Sequence, residues 1–267
     1  MASGCCVSAS GQAFSYSYTE RADSAERYIK AERWEDAERN LKGALRLEPG
    51  NPGNALLLSN LGYVQTQLDR LDDAIESYTV SLAIAPRSAV VLSNRAMAYA
   101  AANRPAEALA DLDAALSIDS TRTMPLKMRG LLRLDRGDCA GARHDFNLLV
   151  KFAPSEAAAY EGLARCDITE GNTDSAISMI RKAIELEAVP ERYFLLASLQ
   201  LDSERLSDAA DTLREGIKAF PRAGDLYLLR ARLHKLNYRP EDAEIDKKTA
   251  IKNGADPQLV QLIFPGK

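Results

Sequence analysis

A small side chain returns at almost constant spacing along this chain. It stands at Ala37, Ala74, Ala108, Ala142, Ala176, Ala209 and Ala243, at intervals of 37, 34, 34, 34, 33 and 34 residues. Twelve residues before each lies another small residue: Ala25, Gly62, Ala96, Gly130, Ala164, Ala197 and Ala231. The stretch 55–88 shows what recurs. Leu58, Gly62 and Gln65 fall three or four apart, as do Ala74, Tyr78, Ser81 and Leu82, so two short helices are expected. A polar turn, Asp69-Arg70-Leu71, separates them, and Pro86, which has no N–H to donate, ends the second. A glycine inside a helix costs about 1 kcal/mol relative to alanine. That cost makes sense where two helix backbones cross closely. Seven helix–turn–helix units follow, each burying its apolar face on its neighbours.

The period and layout resemble the tetratricopeptide repeat over roughly residues 17–255. Numbering the first small residue as repeat position 8 puts the recurring alanine at position 20. Position 24 then carries Leu41, Tyr78, Leu112, Phe146, Ile180, Leu213 and Lys247, and position 32 carries Pro49, Pro86, Ser120, Pro154, Ala188, Pro221 and Ala255. The family's Trp at position 4 is replaced by Leu58, Leu92, Leu126, Tyr160, Tyr193 and Tyr227, and by Arg21 in the first repeat. The resemblance implies an all-α fold, a right-handed α-solenoid of antiparallel helix pairs with a C-terminal capping helix. The expected layout is a leader at 1–17, seven repeats at 18–255, and a capping helix and tail at 256–267. The long first interval places three extra residues in the loop Pro49-Gly50-Asn51-Pro52-Gly53-Asn54. Asp256-Pro257 marks the start of the last helix.

Composition narrows the function. The 34 basic and 38 acidic residues are well mixed, with a net charge of −4, so the basic footprint of a nucleic-acid binder is missing. No run of 18 apolar residues marks a membrane span. Of four cysteines, Cys5 and Cys6 lie in the leader, and Cys139 and Cys166 read as small packing residues. None has zinc-site spacing. The two histidines, His144 and His234, lie in different repeats, and no phosphate-loop pattern occurs. A non-catalytic chain without metal or cofactor is expected.

The uncharged leader supports several readings. Ser8-Ala9-Ser10-Gly11-Gln12 has the small residues found before a cleavage site, and Ala2-Ser3-Gly4-Cys5 looks like the end of a lipoprotein acylation box. A plain disordered terminus fits as well. If Met1–Gly11 is a signal-peptide remnant the protein is exported or periplasmic; otherwise it is cytoplasmic.

Two positions vary together. Position 7 is arginine in three repeats, at Arg95, Arg129 and Arg230. Position 23 is aspartate in those three and nowhere else, at Asp111, Asp145 and Asp246. Three internal ion pairs are therefore expected, with a structural role.

A helix steps 100° per residue, so positions 2, 5, 9, 12 and 13 of each first helix share the face opposite the packing face. In a solenoid such faces line a concave surface. The resemblance implies that a peptide or partner protein binds there. The candidate groove residues are Ser59, Asn60, Tyr63, Gln67, Ser93, Asn94, Met97, Lys127, Leu131 and Arg165. Some members of the family hold a chaperone's C-terminal carboxylate with Lys and Asn at positions 5 and 9, Asn at position 6 of the next repeat, and Lys and Arg at 2 and 6 of the one after. Here those places hold Ser59, Tyr63, Asn94, Met124 and Met128, and only Asn94 fits, which argues against a chaperone tail. The reading is a scaffold or adaptor for an unidentified protein or peptide. The alternative is an exported or lipid-anchored factor in cell-envelope assembly.

Overall fold

The computed structural model describes residues 17–265. The expectations for the leader lie outside the described residues, apart from Ser17. Its hydroxyl caps the first helix, in a capping box with Glu20.

The chain divides into two compact units, 1–119 and 120–267. The first holds three antiparallel helix pairs: α1 (Tyr18–Lys30) with α2 (Trp34–Leu47), α3 (Asn54–Gln67) with α4 (Leu71–Ile84), and α5 (Ala89–Ala101) with α6 (Pro105–Ile118). The second holds four pairs and a short last helix. Its pairs are α7 (Thr123–Asp135) with α8 (Cys139–Phe152), α9 (Ala157–Thr169) with α10 (Thr173–Leu186), α11 (Pro190–Asp202) with α12 (Leu206–Ala219), and α13 (Gly224–Leu236) with α14 (Pro240–Lys252). The last helix is α15 (Pro257–Ile263). Within each unit the second helix of one pair packs on the first helix of the next, as in a solenoid. No strand occurs among the described residues.

The small residues sit where helices touch. All seven position-20 alanines are buried, as are the position-8 residues. Position 24 fills the crossing between them, and its size matches the residue it faces. A Cβ built on Gly62 would meet the Tyr78 ring at 2.7–2.9 Å, and one on Gly130 would meet the Phe146 ring at 2.8 Å. Real Cβ atoms do not come so close, so glycine is required under each of these two rings. The other position-24 residues are aliphatic or Lys247, and each faces alanine.

Every turn within a pair closes in one way. Position 15 has positive φ in all seven repeats, at Glu32, Asp69, Asn103, Gly137, Gly171, Glu204 and Tyr238. The N–H of position 16 donates to the carbonyl of position 11, for example Arg33 to Tyr28 at 2.9 Å and Arg239 to His234 at 2.8 Å. The N–H of position 15 donates to position 12, as from Glu32 to Ile29 at 3.1 Å. These two bonds satisfy the last carbonyls of the first helix in a Schellman arrangement. Only two of the seven sites use glycine, although a left-handed conformation costs other residues about 1–2 kcal/mol.

One expectation needs correction. Only two of the three extra residues are in the α2–α3 loop; the third lengthens α3 to 14 residues, against 13 in α5. Buried Asn54 explains the early start. Its amide donates to the carbonyls of Glu48 at 2.8 Å and Pro49 at 3.1 Å, and its oxygen accepts from the Tyr18 hydroxyl at 3.1 Å.

Two predictions follow from the packing and the turns. Gly62→Ala costs about 1–3 kcal/mol by overpacking, and most of that loss disappears in Gly62→Ala with Tyr78→Leu; a double-mutant cycle on urea midpoints measures the coupling. Tyr78→Leu alone supplies the fourth corner. At the fully exposed turn residue, Tyr238→Gly raises stability by about 0.5–1 kcal/mol, whereas Gly137→Tyr lowers it, read from the same denaturation midpoints.

Candidate interaction surface and internal ion pairs

The three Arg–Asp pairs each join the two helices of one repeat, side-on and with two hydrogen bonds. Arg95 donates from Nε to Asp111 Oδ2 at 2.7 Å and from Nη2 to Oδ1 at 2.8 Å. Arg129 makes the same bonds to Asp145 at 3.0 and 2.6 Å, and Arg230 to Asp246 at 2.7 and 2.7 Å. The planar guanidinium suits this fork. All three aspartates are buried, Asp145 completely. Each pair recruits a further group: Arg95 reaches Thr79 Oγ1 at 2.9 Å, Arg133 Nη1 reaches Asp145 at 2.8 Å, and His234 Nε2 lies 3.4 Å from Asp246. Hydrogen bonds donated to the carboxylates of Asp111 and Asp246 hold the Arg95 and Arg230 guanidinium groups above their ordinary pKa, against the opposing effect of burial.

The same place in other repeats is filled by neutral or offset pairs. In α3 and α4, Ser77 Oγ donates to Gln65 Oε1 at 2.6 Å, linking positions 23 and 11. In α9, position 11 is the buried Asp167, which accepts from Ser175 at 2.6 Å and from Arg143 of the preceding repeat at 2.8 Å.

The candidate groove residues divide by exposure. In the first unit Tyr63, Gln67 and Met97 are exposed, and Asn60 and Asn94 are half-buried. Tyr63 is braced by Trp34, edge to face, with centroids 5.9 Å apart. Ser59 and Ser93 are buried, at 8% and 4% exposure, and this corrects their placement on an open surface. The Ser93 hydroxyl donates to the Ala89 carbonyl of its own helix at 2.6 Å, so its one proton is already used. Ser59 lies in the floor of a pocket of about 340 Å³ between α3, α4 and α5, whose rim is the exposed Leu56 and Val90. In the second unit Lys127 pairs with Glu156 at 3.1 Å, Leu131 is half-buried and Arg165 is exposed.

A larger pocket lies elsewhere in the second unit. It has a volume of about 720 Å³ and three walls. Phe194, Ser198 and Asp202 come from α11, at repeat positions 5, 9 and 13. Arg232, Lys235 and Leu236 come from α13, at positions 9, 12 and 13. Leu259, Leu262 and Ile263 come from α15. Arg232 donates to Asp202 at 2.7 Å and links the first two walls. Lys235 donates to the Ile263 carbonyl at 2.9 Å and stands over the Phe264 ring, 4.6 Å from its centroid, so it fastens α15 in place. The α11 and α13 positions belong to the same helix face as the candidate residues of the earlier repeats. The third wall, α15, is not legible in the repeat pattern, because a short apolar helix that occurs once reads first as a cover for the stack.

Among the described residues no cluster of His, Cys, Asp and Glu is arranged to hold a metal ion, and no helix is long and apolar enough to cross a membrane.

The stacked helix pairs define a helical-repeat protein. The family model for the tetratricopeptide repeat matches residues 23–89, 127–192 and 194–258, and the chain belongs to that family. Among curated relatives, tetratricopeptide repeat protein 36 of Caenorhabditis elegans is 39% identical over 69 residues, 26% of this chain and 38% of that protein. The heat-shock protein cognate (HSC) co-chaperone sgt12 of Aspergillus fumigatus is 37% identical over 73 residues, 27% of this chain and 21% of that one. The chain thus spans well under half the length of these relatives. A crystal structure of a tetratricopeptide repeat protein from Parabacteroides merdae superposes with a TM-score of 0.71 and 26% identity, covering 92% of this chain and 96% of that one.

The expected cost of breaking a buried pair tests the ion pairs. Asp145→Ala removes the buried carboxylate that Arg129 and Arg133 share and costs about 3–5 kcal/mol. Glu26→Ala, which breaks only the exposed pair with Lys30, leaves the denaturation midpoint unchanged.

Proposed function

We propose that this chain is a non-catalytic interaction scaffold that binds an apolar peptide segment of another protein along the outward faces of its first helices. Tetratricopeptide repeat proteins are protein-interaction scaffolds, and the family supports this class. The observation that carries the finer reading is the row Leu56, Tyr63, Val90 and Met97. These four large apolar side chains are exposed on consecutive first helices of one unit, at repeat positions 2 and 9. These side chains are 36–66% exposed, so covering each against a peptide gains roughly half of the 1.5–3 kcal/mol of a fully exposed one. Methionine adapts to irregular partners, and Asn60 and Asn94 beside the row offer amide groups to a peptide backbone.

The sgt12 similarity covers a quarter of the chain. Of the five residues of a carboxylate clamp only one asparagine has a counterpart, Asn94; the Lys, Asn, Lys and Arg are replaced by Ser59, Tyr63, Met124 and Met128. An apolar peptide suits these side chains better than an acidic tail. In the same reading the three Arg–Asp pairs keep the helix pairs in register, residues 18–255 form seven repeats, and α15 covers the end of the second unit while walling its pocket.

The test is an affinity capture comparing the wild-type chain with Tyr63→Ala, Met97→Glu. The variant, whose changes are exposed, keeps its circular dichroism and melting temperature and loses partner capture by at least tenfold. A salt titration of the captured complex shows little dependence, as expected for apolar contacts. Unchanged capture by the variant would move the binding surface away from this row.

A further inference from the structure

Cys139 and Cys166 lie apart from the groove and from the ion pairs. Cys139 is the first residue of α8, at repeat position 17. Cys166 lies at position 10 of α9, 27 residues later. This combination of positions is a contact between one repeat and the next. In the first unit Trp34 and Val64 occupy it within a single core cluster, and in the second unit Leu206 and Leu233 do the same. At the α8–α9 joint both members are cysteine.

The two thiols are neighbours. Cys166 Sγ donates to the carbonyl oxygen of Cys139 at 3.6 Å, an atom two bonds from the Cys139 Cα. The Cys139 side chain also adjoins the Cys166 thiol, through a hydrogen bond and electrostatically, so the two sulfurs face each other across the joint. Cys166 is fully buried and Cys139 is half-buried. Burial, and after it the adjoining Cys139 thiol, pushes the Cys166 thiol up to about 11, so it stays protonated and unreactive toward solutes by itself.

We propose that Cys139 and Cys166 are a modification site, a reversible disulfide that bolts α8 to α9, with a small-molecule disulfide as oxidant. Cys139, the sulfur that solvent reaches, attacks one sulfur of the oxidant and releases the first thiolate. Cys166 then gives up its proton and attacks Cys139 Sγ, breaking the mixed disulfide and releasing the second thiolate. Two protein thiols are oxidised, one small disulfide is reduced to two thiols, and both protons end on them. The bond closes across a joint already held by Arg143 of α8, whose Nη2 donates to Asp167 of α9 and to Glu170 just beyond its end, both at 2.8 Å. Oxidation adds a covalent bond to that joint.

The experiment uses the full chain with Cys5→Ser and Cys6→Ser, equilibrated with glutathione and glutathione disulfide at graded ratios, alkylated and mapped by mass spectrometry. Both remaining thiols should vanish in one transition. A linked peptide containing Cys139 and Cys166 should dominate, and the oxidised chain should melt higher than the reduced one. With Cys166→Ser the reaction should stop at a glutathione adduct on Cys139. Two results overturn the proposal: a persistent adduct on Cys139 in the chain with both cysteines, or no loss of thiols until denaturant is added. Both are read on the two-cysteine chain, so they do not depend on the folding of the Cys166→Ser variant.

Discussion

Close approach of the two helices within each repeat sets everything else. At the crossing the main chains leave room for one layer of side chain, and the residue at position 24 takes it. Where that residue is Tyr78 or Phe146, the facing position shrinks to Gly62 or Gly130. Where it is aliphatic, alanine suffices. The helical cost of the glycine, about 1 kcal/mol, is offset by burying an aromatic ring. Neighbouring repeats repeat the same solution, and nearest-neighbour packing carries it along each unit.

Once the crossing is set, polar side chains have few places to go. Positions 7, 11 and 23 meet between the helices, where the aspartates are buried and the arginines partly so. An aspartate buried there must be met by a donor: a forked arginine in three repeats, and Arg143 reaching Asp167 from the previous repeat in another. A further repeat has no aspartate there and uses the neutral pair Ser77 and Gln65. The exchange of one arrangement for another explains why the arginine and the aspartate come and go together.

Much of this was legible in the residues. The 34-residue period gave the helix pairs, because small side chains at positions 8 and 20 have one common physical purpose. Arg95, Arg129 and Arg230 pointed to Asp111, Asp145 and Asp246 because a buried charge needs its partner. The exposure of the groove residues was less legible. Position 5 lies at the border of the outward face, so Ser59 and Ser93 turn inward, and helix periodicity cannot separate a border from a face. The pocket walled by α15 depends on where seven residues at the end fold back, held by Lys235, and no period describes a segment that occurs once. The match between Gly62 and Tyr78, and between Gly130 and Phe146, was present in the columns, but it becomes meaningful only when the distance between helices is known.

The uniform elbow has a further consequence. Its closure relies on main-chain bonds, and the tip tolerates acidic, amide or aromatic side chains as well as glycine, at the modest cost of the left-handed conformation. Three such tips lie in the first unit and four in the second, each a blank tile. New chemistry can be written on them without disturbing the architecture underneath, which makes these elbows the cheapest part of the molecule to diversify.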